Sequence, residues 1–458
     1  MSKSNFASVI KSRGFKYLWI NQVLMQLAVN TLNFALILWV FKLTDSITAV
    51  SALIISFYLP ALAFGIFAGV FVDLWDKRRV IIILDLLLAI SIFVFAFIKP
   101  SLPLILLDSF LINTLNQFFM PAESSSIPMV VKKQSLFIAN SLFSFTLYGS
   151  FMVGYTLAGP VFNLFGIDTI FYMGAGALTL AFLLAQNLPK LKPVQTELSQ
   201  NLSSLLINET KKTVQFVRGK LSVATSIGLL SAMQGIIGIL AVTVSPYMER
   251  VLHIHATDAS LFLMLPLGLG MVTGALLVGR LFSNAPRRKV VIPGIIVAGI
   301  LLFTVGVAPS LARFFNSIDL PEKIPHLRYF FNAPSLSSTF AVGAFLLGMA
   351  AVAIIIPSQT ILQEATSKEN RGKIFAVLGM MMNAFALVPV VLAGGLADLF
   401  GVTPIYVGLG IIVFTIGILA LKPDTFFTEH SLPFSLREFL GLGHWERRGD
   451  VSKTNSAY

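Results

Sequence analysis

The sequence contains no cysteine and very little charge. Of its 458 residues only 12% are charged, whereas a soluble protein carries roughly 25%. The absence of cysteine excludes disulfide frameworks, thiolate chemistry and cysteine-ligated metals. The shortage of charge excludes a soluble multidomain enzyme, a disordered protein and a nucleic-acid-binding protein, because no stretch is polar enough to cover soluble domains.

What the sequence has instead is long apolar runs. Hydrophobic residues make up 56% of the chain, and 40 Phe stand against 21 acidic residues. A bilayer core about 30 Å thick needs roughly 20 apolar residues per helix. That length predicts an all-α membrane protein with twelve transmembrane helices, at 18–42, 47–72, 80–98, 101–122, 136–163, 168–188, 222–248, 259–282, 290–310, 337–363, 374–400 and 403–421.

The basic residues predict the orientation of these helices. Twelve spans place both termini on one side, and this side holds 27 of the 33 Lys and Arg residues. The positive-inside rule therefore predicts cytoplasmic termini in a plasma membrane, and we expect a bacterial inner membrane. The first run, 18–42, is too long for the apolar region of a cleavable signal peptide, so we expect it to be retained.

Polar segments divide the chain into four predicted parts. We expect a six-helix bundle at 1–188, a linker at 189–221, a second six-helix bundle at 222–421 and a cytoplasmic tail at 422–458. The linker alternates lysines with apolar residues, which favours a helix lying on the lipid headgroups. Nucleic-acid binding is the competing interpretation of these lysines, and the membrane context disfavours it.

The two six-helix parts resemble each other in sequence. Gly69 precedes Lys77-Arg78-Arg79 as Gly279 precedes Arg287-Arg288-Lys289, and the segment 158–166 resembles 393–401. The two offsets differ by 25 residues, about the length of the external loop 311–336. Parallel repeats of this kind are typical of transporters, which bind their substrate between the halves.

The loop between helices 2 and 3 carries a recognisable motif. Gly65-x-x-x-Gly69-x-x-x-Asp73, followed by the basic residues 77–79, resembles the signature loop of the major facilitator superfamily. Over about 400 residues the chain resembles the branch of bacterial macrolide-efflux proteins and drug–proton antiporters. Further features shared with that branch are Pro121 and Pro128 after helix 4, Asn140, Gln363-Glu364 and Arg371-Gly372-Lys373.

The resemblance implies a gate. The resemblance implies that Asp73 contacts the N-terminus of helix 11, near Lys373, and that this contact stabilises the outward-open state. The alternative is that the basic residues only anchor the loop on the cytoplasmic side. Leu74, Asp76 and Ser283 depart from the usual motif. The expected gating residues are Gly65, Gly69, Asp73, Lys77, Arg78, Arg79, Gly279, Arg287 and Arg288.

Amide side chains mark the predicted substrate cavity. They recur at helical spacing on helices 1 and 4, and amides inside a membrane must find partners or line water. Bonding between helices is the alternative role. The cavity candidates are Gln22, Gln26, Asn30, Asn33, Asn113, Asn116, Gln117, Gln234, Gln359, Gln363 and Asn383.

One acidic residue is predicted to lie inside the membrane. Asp108 stands in helix 4 about seven residues from its outer end, and an intramembrane carboxylate is a candidate proton carrier. The alternative is a later helix start that leaves Asp108 at the interface. We expect Asp85, Glu123, Glu364 and Asp398 to lie near cytoplasmic ends and to pair with Arg or Lys.

The remaining motifs are weaker. Gly154, Gly159 and Pro160 in helix 5 partly resemble an antiporter motif and predict close helix packing. His253, His255 and Asp258 are interpreted as a solvated loop, so no metal site is expected. No ATP-binding loop is present, and we expect a proton gradient and no cofactor.

These observations predict a secondary transporter that is not an enzyme. It is expected to export lipophilic or amphipathic, drug-like small molecules by alternating access, in exchange for protons and as a monomer. A proton-independent carrier of a lysophospholipid or metabolite is the first alternative. A transport-dead membrane sensor or scaffold is the second.

Overall fold

A computed structural model describes residues 12–97, 101–132, 135–191, 221–281, 288–317, 333–365 and 371–421. These residues form helices and connecting turns, without any strand. The long helices are α1 Arg13–Thr44, α2 Ile47–Leu74, α3 Lys77–Phe95, α4 Leu102–Val130, α5 Leu136–Phe165, α6 Ile167–Ala185, α7 Leu221–Arg250, α8 Leu265–Leu281, α9 Arg288–Ser317, α10 Ala333–Ala365, α11 Arg371–Phe400 and α12 Thr403–Leu421.

The predicted all-α membrane fold is confirmed. Ten of the described helices, all but α3 and α5, are long and apolar enough to cross a membrane. Each predicted span corresponds to one helix, and the boundaries differ by a few residues for most of them. This agreement follows from the bilayer, because only a helix satisfies every backbone polar group within a single apolar segment.

The end of α4 corrects the sequence prediction. Pro121 and Pro128 lie inside this helix, which continues to Val130, and not after it as predicted. A proline removes only one helical hydrogen bond, the one to the carbonyl four residues earlier, so a long helix in a membrane can continue through it. The serine hydroxyls of this segment bond back to carbonyls of their own helix. Ser125 Oγ donates to the Pro121 carbonyl at 2.7 Å and Ser126 Oγ to the Ala122 carbonyl at 2.5 Å.

The turns between helices reproduce the sequence repeat. Gly166, between α5 and α6, has a φ of 80°, and Gly401, between α11 and α12, has a φ of 82°. Both therefore adopt the left-handed conformation that favours glycine. The equivalent turns of the two predicted repeats thus both contain a glycine in the left-handed conformation.

The chain divides into two compact units. The first comprises Met1–Glu209, Gly235–Leu265 and Gly379–Leu399, and the second comprises Thr210–Gln234, Pro266–Leu378 and Phe400–Tyr458. In the first unit α1 packs against α5 and α6, α2 against α4, and α3 against α6 and α4. We call the end of this unit at which α1 begins the proximal end, and the end at which α1 stops the distal end.

The second unit is built around α9. This helix packs against α12 and α10. Glycines allow the backbones of α9 and α12 to approach closely: a Cβ at Gly299 would overlap the Phe414 backbone nitrogen, and one at Gly410 would overlap the Phe303 backbone nitrogen. Close approach through small residues is the usual way in which helices associate in membranes.

Several predicted segments lie outside the described residues. They are most of the linker 189–221 with its interfacial helix, residues 318–332 of the loop 311–336, and the tail 422–458. The division into 1–188, 189–221, 222–421 and 422–458 therefore stays a prediction.

Candidate functional site

The distal end of the first unit contains a charged cluster that the sequence analysis did not predict. We define the distal cluster as Asp45, Arg250, Asp398 and the N-terminus of α2 at residues 46–48. The Asp398 carboxylate, at the end of α11, accepts the backbone N–H groups of Ile47 at 3.0 Å and Thr48 at 2.9 Å. The Thr48 and Ser46 hydroxyls donate to the same carboxylate at 2.7 and 3.1 Å.

Arg250 adds a second connection to this cluster. Its guanidinium donates to the Asp45 carboxylate at 2.8 Å, lies 4.0 Å from the Asp398 carboxylate and stacks over the Phe41 ring at 5.5 Å. The side chain of Asp45 is 81% exposed, and an exposed ion pair contributes only about 0–1 kcal/mol. The carboxylate of Asp398 at the α2 N-terminus is the stronger contact, since it combines charge-assisted hydrogen bonds with a favourable helix dipole.

Asp398 lies at the distal end beside Asp45 and Arg250, so its carboxylate is within 4.0 Å of a basic side chain. This is the end opposite to the one at which α1 begins. The predictions that Asp398 and the N-terminus both lie on the cytoplasmic side are therefore incompatible with each other. The sequence did hold a signal: Gly394-x-x-x-Asp398 repeats the spacing of Gly69-x-x-x-Asp73. A Cβ at Gly394 would overlap the Ser51 side chain, so α11 passes very close to α2 at this glycine.

The predicted gating residues lie at the proximal end. Asp76, one of the residues that depart from the usual motif, caps α3 by accepting the Arg78 backbone N–H at 3.1 Å. The Arg78 guanidinium donates to the Gln186 carbonyl at 2.5 Å, and the backbone N–H of Lys77 donates to the Leu191 carbonyl at 3.1 Å. Two hydrogen bonds thus connect the start of α3 to the segment that follows α6.

The other gating residues are described only in part. Lys77 is 3% exposed, and Arg79 is exposed. No described atom lies within 4 Å of the position that a Cβ would take at Gly65. The side-chain surroundings of the remaining candidates lie outside the described part of the chain: Gly69, Asp73, Gly279, Arg287 and Arg288.

The amide stripe of α1 faces α4 and α5. Gln22 Nε2 donates to the Phe143 carbonyl of α5 at 3.3 Å, and Gln26 Nε2 lies 3.6 Å from Met120 Sδ of α4. Asn30 Nδ2 donates to Gln26 Oε1 at 3.3 Å. Part of the stripe therefore serves hydrogen bonding between helices.

Several amide oxygens of the first unit remain without a partner. Gln22 Oε1, Asn33 Oδ1 and Asn116 Oδ1 are buried and accept no hydrogen bond from a described residue. Such groups are costly unless water or a ligand reaches them. Asn113 and Asn383 donate to carbonyls of their own helices, at 2.9 and 2.8 Å.

The remaining cavity candidates are less defined. Gln117 and Gln359 are half-buried, and so is Gln234, which has a further interaction partner. The side chain of Gln363 lies outside the described part of the chain.

Asp108 lies within α4, six residues after its first residue. The side chain is 8% exposed, and Oδ2 is buried with no hydrogen-bond partner among the described residues. The neighbouring Ser109 hydroxyl is also buried and forms no hydrogen bond with a described residue. A carboxylate in this position can take up and release a proton, because it has no described cation or donor to hold its charge.

A second set of buried acids was misjudged from the sequence. Asp85 was expected to pair with Lys or Arg, and instead its carboxylate accepts from Asn21 Nδ2 at 2.6 Å. Asp85 and Glu123 are 0% and 3% exposed. Glu364, which shared the same expectation, lies outside the residues whose side chains are described.

The glycines of α5 lie at close contacts. A Cβ at Gly154 would lie 2.9 Å from the Asn30 Cβ on α1. A Cβ at Gly159 would overlap Ser260 and Thr257, in the short 3₁₀ and π turns before α8. Pro160 follows inside α5. Among the described residues, no group of three His, Cys, Asp or Glu side chains could hold a metal ion.

Known proteins resemble this chain at low identity. The MFS-type transporter YfiS of Bacillus subtilis, itself uncharacterised, is 22% identical over 83% of this chain and 86% of its own. Macrolide efflux protein A of Streptococcus pyogenes is 22% identical over 88% of this chain and 94% of its own.

Solved transporter structures share the fold. The nucleoside transporter NupG superimposes with a TM-score of 0.67 at 13% identity, covering 89% of this chain and 99% of its own. A bacterial homologue of the human lysosomal transporter Spinster, inward-facing and occupied, has a TM-score of 0.66 at 12% identity and covers 92% of this chain and 99% of its own.

The sequence model of the Major Facilitator Superfamily matches residues 18–318 and 237–440 of this chain. These two matches together cover most of the chain and nearly all of the described helices. The chain belongs to the major facilitator superfamily and is a multi-pass secondary transporter.

Proposed function

We propose that this transporter exports lipophilic or amphipathic, drug-like small molecules in exchange for protons. The observation that carries the proposal is Asp108, a buried carboxyl group in α4 with an oxygen that no described residue satisfies. A group of this kind gains a proton from one side of a membrane and loses it to the other when its surroundings change. The protein acts as a monomer with both termini in the cytoplasm.

The substrate class rests on the chemistry of the amide stripe. Gln22, Asn33 and Asn116 have buried amide oxygens that accept no hydrogen bond from a described residue. These oxygens can orient a substrate through hydrogen bonds without fixed charge. Met380, Met381 and Met382 are half-buried in α11 and offer an adaptable apolar surface. The name of the related Macrolide efflux protein A agrees with a bulky, amphipathic substrate.

Alternating access requires contacts that form and break at each end of the helices. The distal cluster supplies such a contact, because Asp398 and Arg250 connect α11, α2, α1 and α7 through polar groups at helix ends. Polar contacts near water can exchange their partners for water at low cost. We propose that this cluster closes the external side while the substrate site is open to the cytoplasm.

Proton flux in proteoliposomes tests the proposal. Vesicles that contain the wild-type protein and a pH-sensitive dye are challenged with lipophilic cations and macrolides. The same assay is run on Asp108→Asn, with Asp168→Asn as the matched control, since Asp168 is an exposed acid in the first turn of α6. We expect substrate-dependent proton movement in the wild type and the control, and its loss in Asp108→Asn.

Two outcomes contradict the proposal. Substrate movement without protons, equal in all three proteins, would identify a proton-independent carrier, such as a carrier of a lysophospholipid or metabolite. The absence of any flux, with binding of the same compounds retained, would favour a sensor or scaffold.

A further inference from the structure

An open groove runs along α3 at the proximal end of the first unit. Its volume is about 660 Å³. Its wall consists of apolar side chains from the end of α2, from α3 and from α4, namely Leu74, Val80, Ile83, Leu84, Leu87 and Phe118. Ile83 and Leu87 are 55% and 41% exposed, so the described part of the chain leaves this wall uncovered.

The proximal rim of the groove is polar and aromatic. Trp75, Asp76 and Arg79 line it, from the residue that follows α2 to the first turn of α3. Trp75 is 55% exposed, and its ring lies 6.1 Å from the Phe71 ring. Tryptophan is enriched where the hydrocarbon of a membrane meets the headgroups. The groove therefore begins at the level of the lipid headgroups and continues into the hydrocarbon.

Arg79 is the basic residue of this rim that remains available to a ligand. Lys77 is 3% exposed, and the Arg78 guanidinium donates to the Gln186 carbonyl. Arg79 is exposed, and it forms neither an ion pair nor a hydrogen bond with another described residue. The Asp76 carboxylate beside it already accepts the Arg78 backbone N–H, at the N-terminus of α3. The rim therefore presents one positive charge without a described partner.

The other described charges at the proximal end also favour an anionic ligand. Exposed basic side chains occur there at the start of α1, after α4 and after α6: Arg13, Lys16, Lys132 and Lys190. Basic clusters at the surface of a membrane attract anionic lipid headgroups. The electrostatic potential around the rim is therefore expected to be positive.

We propose that this groove binds one anionic phospholipid, with its phosphate on Arg79 and one acyl chain along Ile83 and Leu87. An arginine can bind a phosphate through two parallel hydrogen bonds. Leu87 lies eight residues beyond Arg79 on α3, a distance of about 12 Å along the helix. One leaflet contributes roughly 15 Å to a bilayer core of about 30 Å, so the apolar wall accompanies the chain through most of its leaflet. This proposal does not depend on the proposed exchange of substrate for protons.

Quenching of tryptophan fluorescence by brominated lipids tests the proposal, because Trp75 lies at the rim. The full-length protein is reconstituted in phosphatidylcholine vesicles that contain increasing fractions of brominated phosphatidylglycerol or brominated phosphatidylcholine. The difference between the wild type and Trp75→Phe isolates the signal of Trp75 from that of the other tryptophans. We expect brominated phosphatidylglycerol to bind about fivefold more strongly than brominated phosphatidylcholine, which is the effect of one basic residue on an anionic lipid.

Three variants separate the groove from its surroundings. Arg79→Gln is expected to abolish the preference, because it removes the available charge at the rim. Arg13→Gln is the matched control: Arg13 is an exposed basic residue at the same end and does not line the groove, so the preference should fall less than about twofold. Ile83→Gln retains the charge and makes the apolar wall polar, so quenching by both lipids should weaken. The three side chains are exposed, and the elution profile of each variant checks that it is folded.

Four results would overturn the proposal. Equal binding of the two brominated lipids by the wild type would show ordinary contact with the bilayer. Equal losses in Arg79→Gln and Arg13→Gln would show attraction to the whole basic end without a site. Quenching that Ile83→Gln leaves unchanged would show that no acyl chain occupies the groove. Stronger binding of brominated phosphatidylethanolamine than of brominated phosphatidylglycerol would assign the rim to an amine headgroup held by Asp76.

Discussion

The Asp398 carboxylate of α11 accepts hydrogen bonds from the backbone N–H groups of Ile47 and Thr48, at the first turn of α2. The signature loop implies the reverse arrangement at the other end, with Asp73 of α2 meeting the N-terminus of α11. Each helix thus carries a Gly-x-x-x-Asp motif near its C-terminal end, at residues 69–73 and 394–398. We infer that the two motifs act as alternative locks, one for each side.

Neutralising Asp398 is expected to open the distal end more often. Asp398→Asn removes the charge that strengthens the bonds to the α2 N-terminus, and such bonds contribute about 1.5–3 kcal/mol. The change is therefore expected to raise the population of the distally open state about tenfold. A single cysteine at Ser51, which is 3% exposed beside Gly394, reports this as the rate of labelling by an impermeant maleimide in intact cells. The chain has no cysteine of its own to interfere.

Arg250→Gln is the matched comparison for this measurement. Arg250 and Asp45 form an exposed pair, so we expect its loss to change the labelling rate less than about fivefold, and less still at high salt. Equal rates in Asp398→Asn and the wild-type background would show that Asp398 is not a lock.

A methyl group at Gly159 is expected to destabilise the protein. A Cβ at this position would overlap the Thr257 carbonyl and the Ser260 side chain, and a backbone carbonyl cannot move aside easily. Overpacking of this kind costs about 1–3 kcal/mol. We therefore expect Gly159→Ala to lower the midpoint of thermal unfolding by several degrees, measured by the loss of monodisperse protein after heating.

The control for this substitution lies in the same helix. No described atom lies within 4 Å of a Cβ placed at Gly149, so Gly149→Ala should leave the midpoint unchanged or raise it slightly, since alanine favours helix. If both variants behave alike, the close contact of α5 with the turns before α8 is not a determinant of stability.

The sequence predicted the helices well and the contacts between distant residues poorly. Apolar length identifies a span because the bilayer imposes it, and the φ values of Gly166 and Gly401 agree with the predicted repeat. The extension of α4 through Pro121 was missed because a proline removes only one helical hydrogen bond and does not by itself end a long helix in a membrane. The partner of Asp85 was missed for a different reason: Asn21 is 64 residues away, and no local pattern selects an amide rather than a nearby lysine.

The Asn21–Asp85 contact gives a last prediction, about stability. Asn21→Leu leaves the buried Asp85 carboxyl group without its described donor, and an unsatisfied buried polar group costs about 1–3 kcal/mol. The expected result is a thermal midpoint several degrees below that of the wild type. Asn163→Leu, at an exposed amide of α5, is the control and should have a much smaller effect.

The double variant distinguishes a hydrogen bond from simple packing. Replacing both partners, as Asn21→Leu/Asp85→Leu, removes the acceptor together with the donor, so the stability should recover most of the loss. If the two losses add instead, Asn21 stabilises the core through its shape and not through Asp85.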